Sequence, residues 1–432
     1  MSTDKMPPNT NRPGAMQSYV FHDPSGRRAR NVRLLGGLAI ALCLAMFAAF
    51  AATLAFAPHV PEVRFRDPHT LTALNVKVPR RATPWTATPK RPRVHGSATR
   101  PLTIAFYVSW DEQSAQALRE HLQDLDVLSP QWVMVSTPDG QISATADPRA
   151  EELIRNAKKR PAIMPVVHNA VDGVWVTKPI EQLLRSPKGR AALIKNLQTL
   201  ADQRGFSGYI FDFENLTPAA LAAYPQFIAE VNLAFQASNR EIWVTVPVDD
   251  TEWPLRALQK AADAIVPMMY DEHWQTGSPG PSASQAWFQA KLSEYLRGLD
   301  PNKIVLALGS YGYDWAKGET QAQAITFHEA MQSAHDAGVP VVFDHTALNP
   351  MFRYADDKQV SHEVWFLDAA TLYNQIKIAD AWRPRGYAIW RLGAEDPGIW
   401  SLLGRRYDTA SIAALPDMPA SHDIDFNGLA KC

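Results

Sequence analysis

The stretch SGYIFDFENL, residues 207 to 216, sets two carboxylates two residues apart in an otherwise apolar run. Side chains alternate along a β-strand, so Asp212 and Glu214 project from one face above Ile210, while Tyr209, Phe211 and Phe213 project from the other. Two buried carboxylates this close do not both ionise cheaply, so one is expected to hold a proton near neutral pH, as a general acid requires. A structural ion-pair network is the competing reading, and the ends of the neighbouring strands bear on the choice.

Those strands are read from short apolar runs separated by amphipathic stretches. The runs lie at 102–108, 132–136, 162–168, 208–214, 241–248, 264–270, 303–309 and 386–392. Helical patterns fit between most of them, among them 113–125, 187–204 and 285–298, and Thr217-Pro218 reads as an N-cap followed by proline in the first turn. Eight such units predict an α/β fold, a (β/α)8 TIM barrel. The seventh connection is the long one, and residues 320 to 372 are expected to form a small α+β insertion between strands 7 and 8. A doubly wound sheet uses the same alternation, but it usually carries a glycine-rich loop after its first strand. Here SWDEQS, without glycine, follows.

In such a barrel the functional side chains sit at the C-terminal ends of the strands. Asp212 and Glu214 end strand four, and MMYDEHW brings Tyr270, Asp271 and Trp274 to the end of strand six. Tyr311 lies in GSYGYDW after strand seven, Trp390 on strand eight and Trp110 after strand one. Any one of these rings alone reads as packing. Together, aromatic rings and carboxylates at one barrel mouth fit a saccharide, whose apolar faces stack on rings.

SGYIFDFENL resembles the strand-four signature of glycoside hydrolase family 18, the chitinase-like barrels, D-G-x-D-x-D-x-E. MMYDEHWQTGSPGPSAS is similar to that family's M-x-Y-D motif as it appears in spore-germination-type peptidoglycan hydrolases. LGSYGYDW and YAIWRLG resemble its strands seven and eight, and the likeness spans about residues 101 to 405. The resemblance implies that Glu214 protonates the glycosidic oxygen. Asp212 would orient and charge-stabilise the substrate's 2-acetamido group, whose carbonyl oxygen attacks the anomeric carbon. Tyr270 would donate to that oxygen, Asp271 would contact the sugar, and Trp390 would form the floor. Two positions depart from the pattern: Ser207 and Ile210 stand where the family's first two aspartates would be. Glu214 is kept, unlike in the family's non-catalytic lectins. A second resemblance, carried by YVFHDPSGRRAR, FYVSWDEQSAQALREHLQDLDVLSPQWV and HDIDFNGLAKC, is to the N-terminal hydrolase part of bacterial membrane proteins fused to a polysaccharide deacetylase and a glycosyltransferase. The motifs of a deacetylase are not found in this sequence.

Outside the barrel, composition speaks more than motif. Lys plus Arg (43) nearly balances Asp plus Glu (44), so no global field draws the chain to nucleic acid. Residues 1–33 read as a polar cytoplasmic tail, and 34–57 form a charge-free run about 36 Å long as a helix, enough to cross a bilayer. Arg27, Arg28, Arg30 and Arg33 precede it, which puts the N-terminus in the cytoplasm and the barrel outside, periplasmic or extracellular, on a bacterial inner membrane. A cleaved signal peptide is the rival, with Ala55-Phe56-Ala57 as cleavage site. Residues 58–100 are a Pro/Arg-rich linker and 406–432 a C-terminal tail or linker. The two cysteines, Cys43 and Cys432, are not expected to pair with each other. His168, His273, His328, His335, His345 and His362 are scattered without metal-ligand spacing, so neither metal nor cofactor is expected.

The reading is a membrane-anchored glycosidase acting on β-linked N-acetylhexosamine polysaccharide: peptidoglycan, a chitin-like chain or an exopolysaccharide. The alternatives are a non-hydrolytic carbohydrate-binding protein on the same barrel and a tethered envelope-assembly protein.

Overall fold

The computed structural model describes residues 100–403, together with Met46 and Val94. The chain divides into residues 1–80 and 81–432, and the elements described below belong to the second unit. The expected membrane segment 34–57, apart from Met46, lies outside the described residues, as do residues 1–33, most of the linker and residues 404–432. Among the described residues no helix is long and apolar enough to cross a membrane.

Eight parallel strands form the centre: Leu102–Tyr107, Val127–Pro130, Ala162–Ile163 continuing as Val166–His168, Gly208–Asp212, Glu241–Pro247, Ala264–Met269, Val305–Gly309 and Gly386–Trp390. The eighth pairs with both the seventh and the first. The first pairs with the second, and the second with the start of the third. The third reaches the fourth through Val166–His168, so the pairing runs around a TIM-barrel-like ring.

Strand two corrects the sequence reading. Its main ladder is Val127–Pro130, five residues ahead of the expected start at Trp132, and 132–136 contributes only the continuation Val133–Met134. Pro130 has no N–H to donate, and the ladder breaks just beyond it. Pro165 interrupts strand three in the same way, between Ile163 and Val166.

Alternation splits the core in two. Ile210 packs inside the barrel with Ile104, Val166, Trp243, Val266 and Ala388, all buried. Tyr209, Phe211 and Phe213 face outward into the layer beneath the helices. There Phe211 meets Phe227 edge-on at 5.4 Å, and Phe213 stacks near Tyr224 at 5.8 Å. Both partners belong to the helix Pro218–Gln236, capped as expected by Thr217, whose hydroxyl accepts from the Ala220 N–H. At the N-terminal end of the strands Arg385 pairs with Glu241 at 2.7 Å, lies over the Trp243 ring at 5.0 Å and donates to the Val94 carbonyl. This closes the end opposite the strand tips that carry the acidic pair.

The insertion begins earlier than residue 320. Tyr311–Ala316 already belongs to a five-stranded antiparallel sheet with Gln323–Thr326, Val342–Phe343, Pro350–Ala355 and Ser361–Phe366. The helix Phe327–Asp336 covers it, with Ala330 and Ala334 packed against Phe352 and Phe366. The turn into this sheet sets Tyr311 and Tyr313 beside the end of strand six.

Candidate active site

Strand four loses its ladder at Asp212: Ile210–Asp212 pair with Val166–His168 on one side, and Gly208–Phe211 with Glu241–Val244 on the other. Asp212 is buried at 6% exposure and accepts a 2.6 Å hydrogen bond from the Thr245 hydroxyl on strand five. Burial pushes its pKa up to about 6, against the opposing pull of that hydroxyl. Glu214, two residues further on, opens onto the cleft. Burial, then the charges of Asp212 and Asp271, raise its pKa well above the ordinary carboxylate range. Of the pair, Glu214 is therefore the one that holds the proton.

Tyr270 and Asp271 follow strand six. Burial and the surrounding carboxylates keep the Tyr270 phenol protonated, a donor rather than a phenolate. Asp271 occupies the left-handed region at φ 66°. Its Oδ1 accepts from Tyr311 Oη and, at 3.0 Å, from Tyr313 Oη. Burial raises the Asp271 pKa while the two phenols oppose the rise.

These groups share a cleft of about 990 Å³, whose lining includes Asp212, Glu214, Tyr270, Asp271, Trp110, Trp274 and Trp390. Trp390 packs edge-on against Phe106 at 5.3 Å at the base. Trp110 is 68% exposed at the rim, with the Arg391 guanidinium 4.3 Å from its ring and Arg391 paired to Asp111. Trp274 is half exposed, its indole N–H donating to Thr276.

Tyr311 departs from the expected sugar contact. It stands one layer back, its hydroxyl spent on Asp271 and its ring edge-on to Tyr270 at 5.9 Å, and Tyr313 lines the cleft in its stead. Trp175, on the short hairpin Ala170–Val171 and Val174–Trp175, also lines the cleft and was not singled out from the sequence.

His168, one of the scattered histidines, also lines the cleft, paired in register with Asp212. Burial pushes its pKa down to about 4. The Ala170 N–H donates to Nδ1 at 3.2 Å, so the proton of the neutral ring sits on Nε2. His362 lies elsewhere, its Nδ1 2.7 Å from Asp314 in the insertion. Among the described residues no group of three or more His, Cys, Asp and Glu side chains is placed to hold a metal ion.

The family model described as Glycosyl hydrolases family 18 matches residues 103–395. The uncharacterized glycosylase YvbX of Bacillus subtilis is 26% identical over 277 residues, covering 61% of this chain and 80% of that protein. The cortical fragment-lytic enzyme of the same organism is 31% identical over 260 residues, covering 57% of this chain and 60% of that protein. The chain thus spans about three fifths of the latter's length. The Bacillus cereus spore cortex-lytic enzyme SleL superposes with a TM-score of 0.63 at 24% identity, covering 70% of this chain and 73% of that one. A chitinase from Chromobacterium violaceum gives 0.63 at 22% identity, covering 73% of this chain and all of its own. At such identities the two structures bear on the fold.

Proposed function

This chain belongs to glycosyl hydrolases family 18, and from that premise we propose that it cleaves β-linked N-acetylhexosamine polysaccharide by a substrate-assisted, retaining route. The observation that carries the reading is geometric: Glu214 and the buried Asp212, two residues apart at the end of strand four, line one cleft together with Tyr270 and Trp390. A carboxylate two residues from the acid and pointing the same way is badly placed to attack the opposite face of the sugar. It is well placed to manage an acetamido group, which makes this site one of the exceptions to the two-carboxylate scheme.

The Glu214 carboxyl transfers its proton to the glycosidic oxygen as the bond to the anomeric carbon breaks, its electron pair going to the leaving oxygen. The acetamido carbonyl oxygen forms the new bond to that carbon, giving an oxazolinium ion. Asp212 faces the acetamido N–H and stabilises its positive charge, while the Tyr270 hydroxyl donates to the acetamido oxygen. Glu214, now a carboxylate, takes a proton from water as the water oxygen bonds to the anomeric carbon. The bond from that carbon to the acetamido oxygen breaks, its electron pair returning to the acetamido group, and the configuration is retained overall. Trp390 supports the reacting sugar, Trp110 and Trp274 hold the chain at the rim, and Asp271 contacts the sugar with its orientation set by Tyr311 and Tyr313.

The polymer is an N-acetylated glycan of the cell envelope or its surroundings, peptidoglycan being the one to which relatives named cortical fragment-lytic enzymes point. Residues 34–57 anchor the chain in the inner membrane with the barrel outside. The mechanism is tested by the first product anomer in ¹H NMR and by de-N-acetylated oligomers. The β-anomer should appear first, and oligomers without acetyl groups should not turn over. An initial α-anomer, or equal rates on both oligomers, would dismiss the substrate-assisted route.

A further inference from the structure

Glu214 lies two residues beyond the last paired residue of strand four, so no neighbouring strand holds its backbone. Strand three, which would be its neighbour, turns away after His168 into the Ala170–Trp175 hairpin. The side chain of Asn169 fills the gap. Its Oδ1 accepts from the Glu214 N–H at 2.9 Å, and its Nδ2 donates to the Glu214 carbonyl at 3.0 Å. The second Nδ2 proton goes to the Val176 carbonyl at 3.2 Å, where the hairpin returns. Asn169 is fully buried. Both donors and the acceptor oxygen are used, and the opposite amide orientation would set N–H against N–H and oxygen against two carbonyls.

We infer that Asn169 is a positioning residue for catalysis: its amide stands in for the absent strand and fixes the backbone height of the proton donor at the cleft. The inference rests on the reading of Glu214 as that donor. One side chain couples the hairpin carrying Trp175 to the residue that moves the proton. A buried apolar group in its place would leave the Glu214 N–H and carbonyl unpaired, and the chain end would shift to find partners. Displacement of a catalytic group by about 1 Å costs on the order of 100-fold in rate.

The consequence differs between substrates. A natural glycosidic bond has a poor leaving group and needs the proton; an aryl glycoside with an acidic phenol leaves without it. The full-length chain, its Asn169→Leu and Asn169→Asp variants and a Glu214→Gln control are compared on N-acetylglucosamine oligomers and on an aryl glycoside of di-N-acetylchitobiose. Leucine keeps the branched heavy-atom skeleton but is bulkier and has neither donor nor acceptor, while aspartate is nearly isosteric, keeps the acceptor and loses both donors. Asn169→Leu should lower kcat on oligomers by about 10- to 100-fold with KM changed less than about 3-fold. Its loss on the aryl glycoside should be at least about 5-fold smaller, and Asn169→Asp should fall between parent and Asn169→Leu. Equal losses on both substrates, or unchanged oligomer turnover, would overturn the inference. Thermal melts accompany each assay, and if Asn169→Leu does not fold, the ratio for Asn169→Asp decides. If Glu214→Gln itself retains oligomer turnover, the functional reading fails; if it is inactive while both Asn169 variants match the parent, only the positioning role fails.

Discussion

Asp212 and Glu214 differ in surroundings more than in chemistry. Thr245 helps Asp212 to ionise, whereas Glu214 meets two neighbouring carboxylates and keeps its proton. Catalysis needs Asp212 charged and Glu214 protonated, so kcat/KM should be bell-shaped, with both limbs belonging to the coupled pair. Activity is lost on the acid side as Asp212 gains a proton near pH 6 and on the alkaline side as Glu214 loses one. Thr245→Val removes a group that favours the carboxylate, so the acid limb should move to higher pH. Asp212→Asn removes a negative neighbour, which lowers the Glu214 pKa, so the alkaline limb of any residual activity should move to lower pH. Limbs that stay put in both variants would contradict these assignments. The pair itself was readable from SGYIFDFENL because strand alternation is local. Asn169, His168 and Tyr313 were not, because their importance comes from long-range pairing: strand three beside strand four, and the insertion beside strand six.

The elements that could be read in advance were those with strong local signals. Thr217-Pro218 marked the start of its helix, and Pro187–Arg204 has the bounds its pattern suggested. Strand two was misplaced because DVLSP holds only a short apolar run ahead of the richer WVMVS. Registration of Val127–Pro130 against the first strand decides the matter, and only the closed ring reveals it. The insertion was dated from 320 because Tyr311–Ala316 reads as the tail of strand seven, when it is the centre of a second sheet. Strand four also explains its own departure from the family pattern. Ile210 is fully buried among Val166, Trp243 and Val266 in the barrel interior. Ile210→Asp would place an unpaired carboxyl in that apolar layer, at a cost of about 3 kcal/mol or more. Its melting temperature should fall by several degrees at pH 7 and less at pH 4, where the new carboxyl is largely neutral. An unchanged melting temperature at pH 7 would show that the interior already accommodates a polar partner for Asp212.

For the whole molecule, the apolar run of residues 34–57 and the arginines just before it, Arg27, Arg28, Arg30 and Arg33, set the expected arrangement, with the hydrolase outside and its tail within. Expressed in bacteria, the full-length chain should sediment with membranes and come off with detergent rather than high salt or carbonate. Removal of residues 34–57 should leave it in the supernatant. Release of the intact chain by carbonate alone would rule out a spanning anchor. Such tethering would confine a cleft of about 990 Å³ to glycan within reach of the linker. It would make the enzyme a trimmer of nearby chains.

The most direct test of that activity sets the parent against Glu214→Gln, on N-acetylglucosamine oligomers and on purified peptidoglycan, with products followed by mass spectrometry. The parent should release shorter N-acetylated fragments, and Glu214→Gln should lose on the order of 100- to 10,000-fold in rate while still binding the oligomers. Saturable binding by both proteins with no products from either would contradict the account, marking a barrel that kept its ligand and lost its turnover.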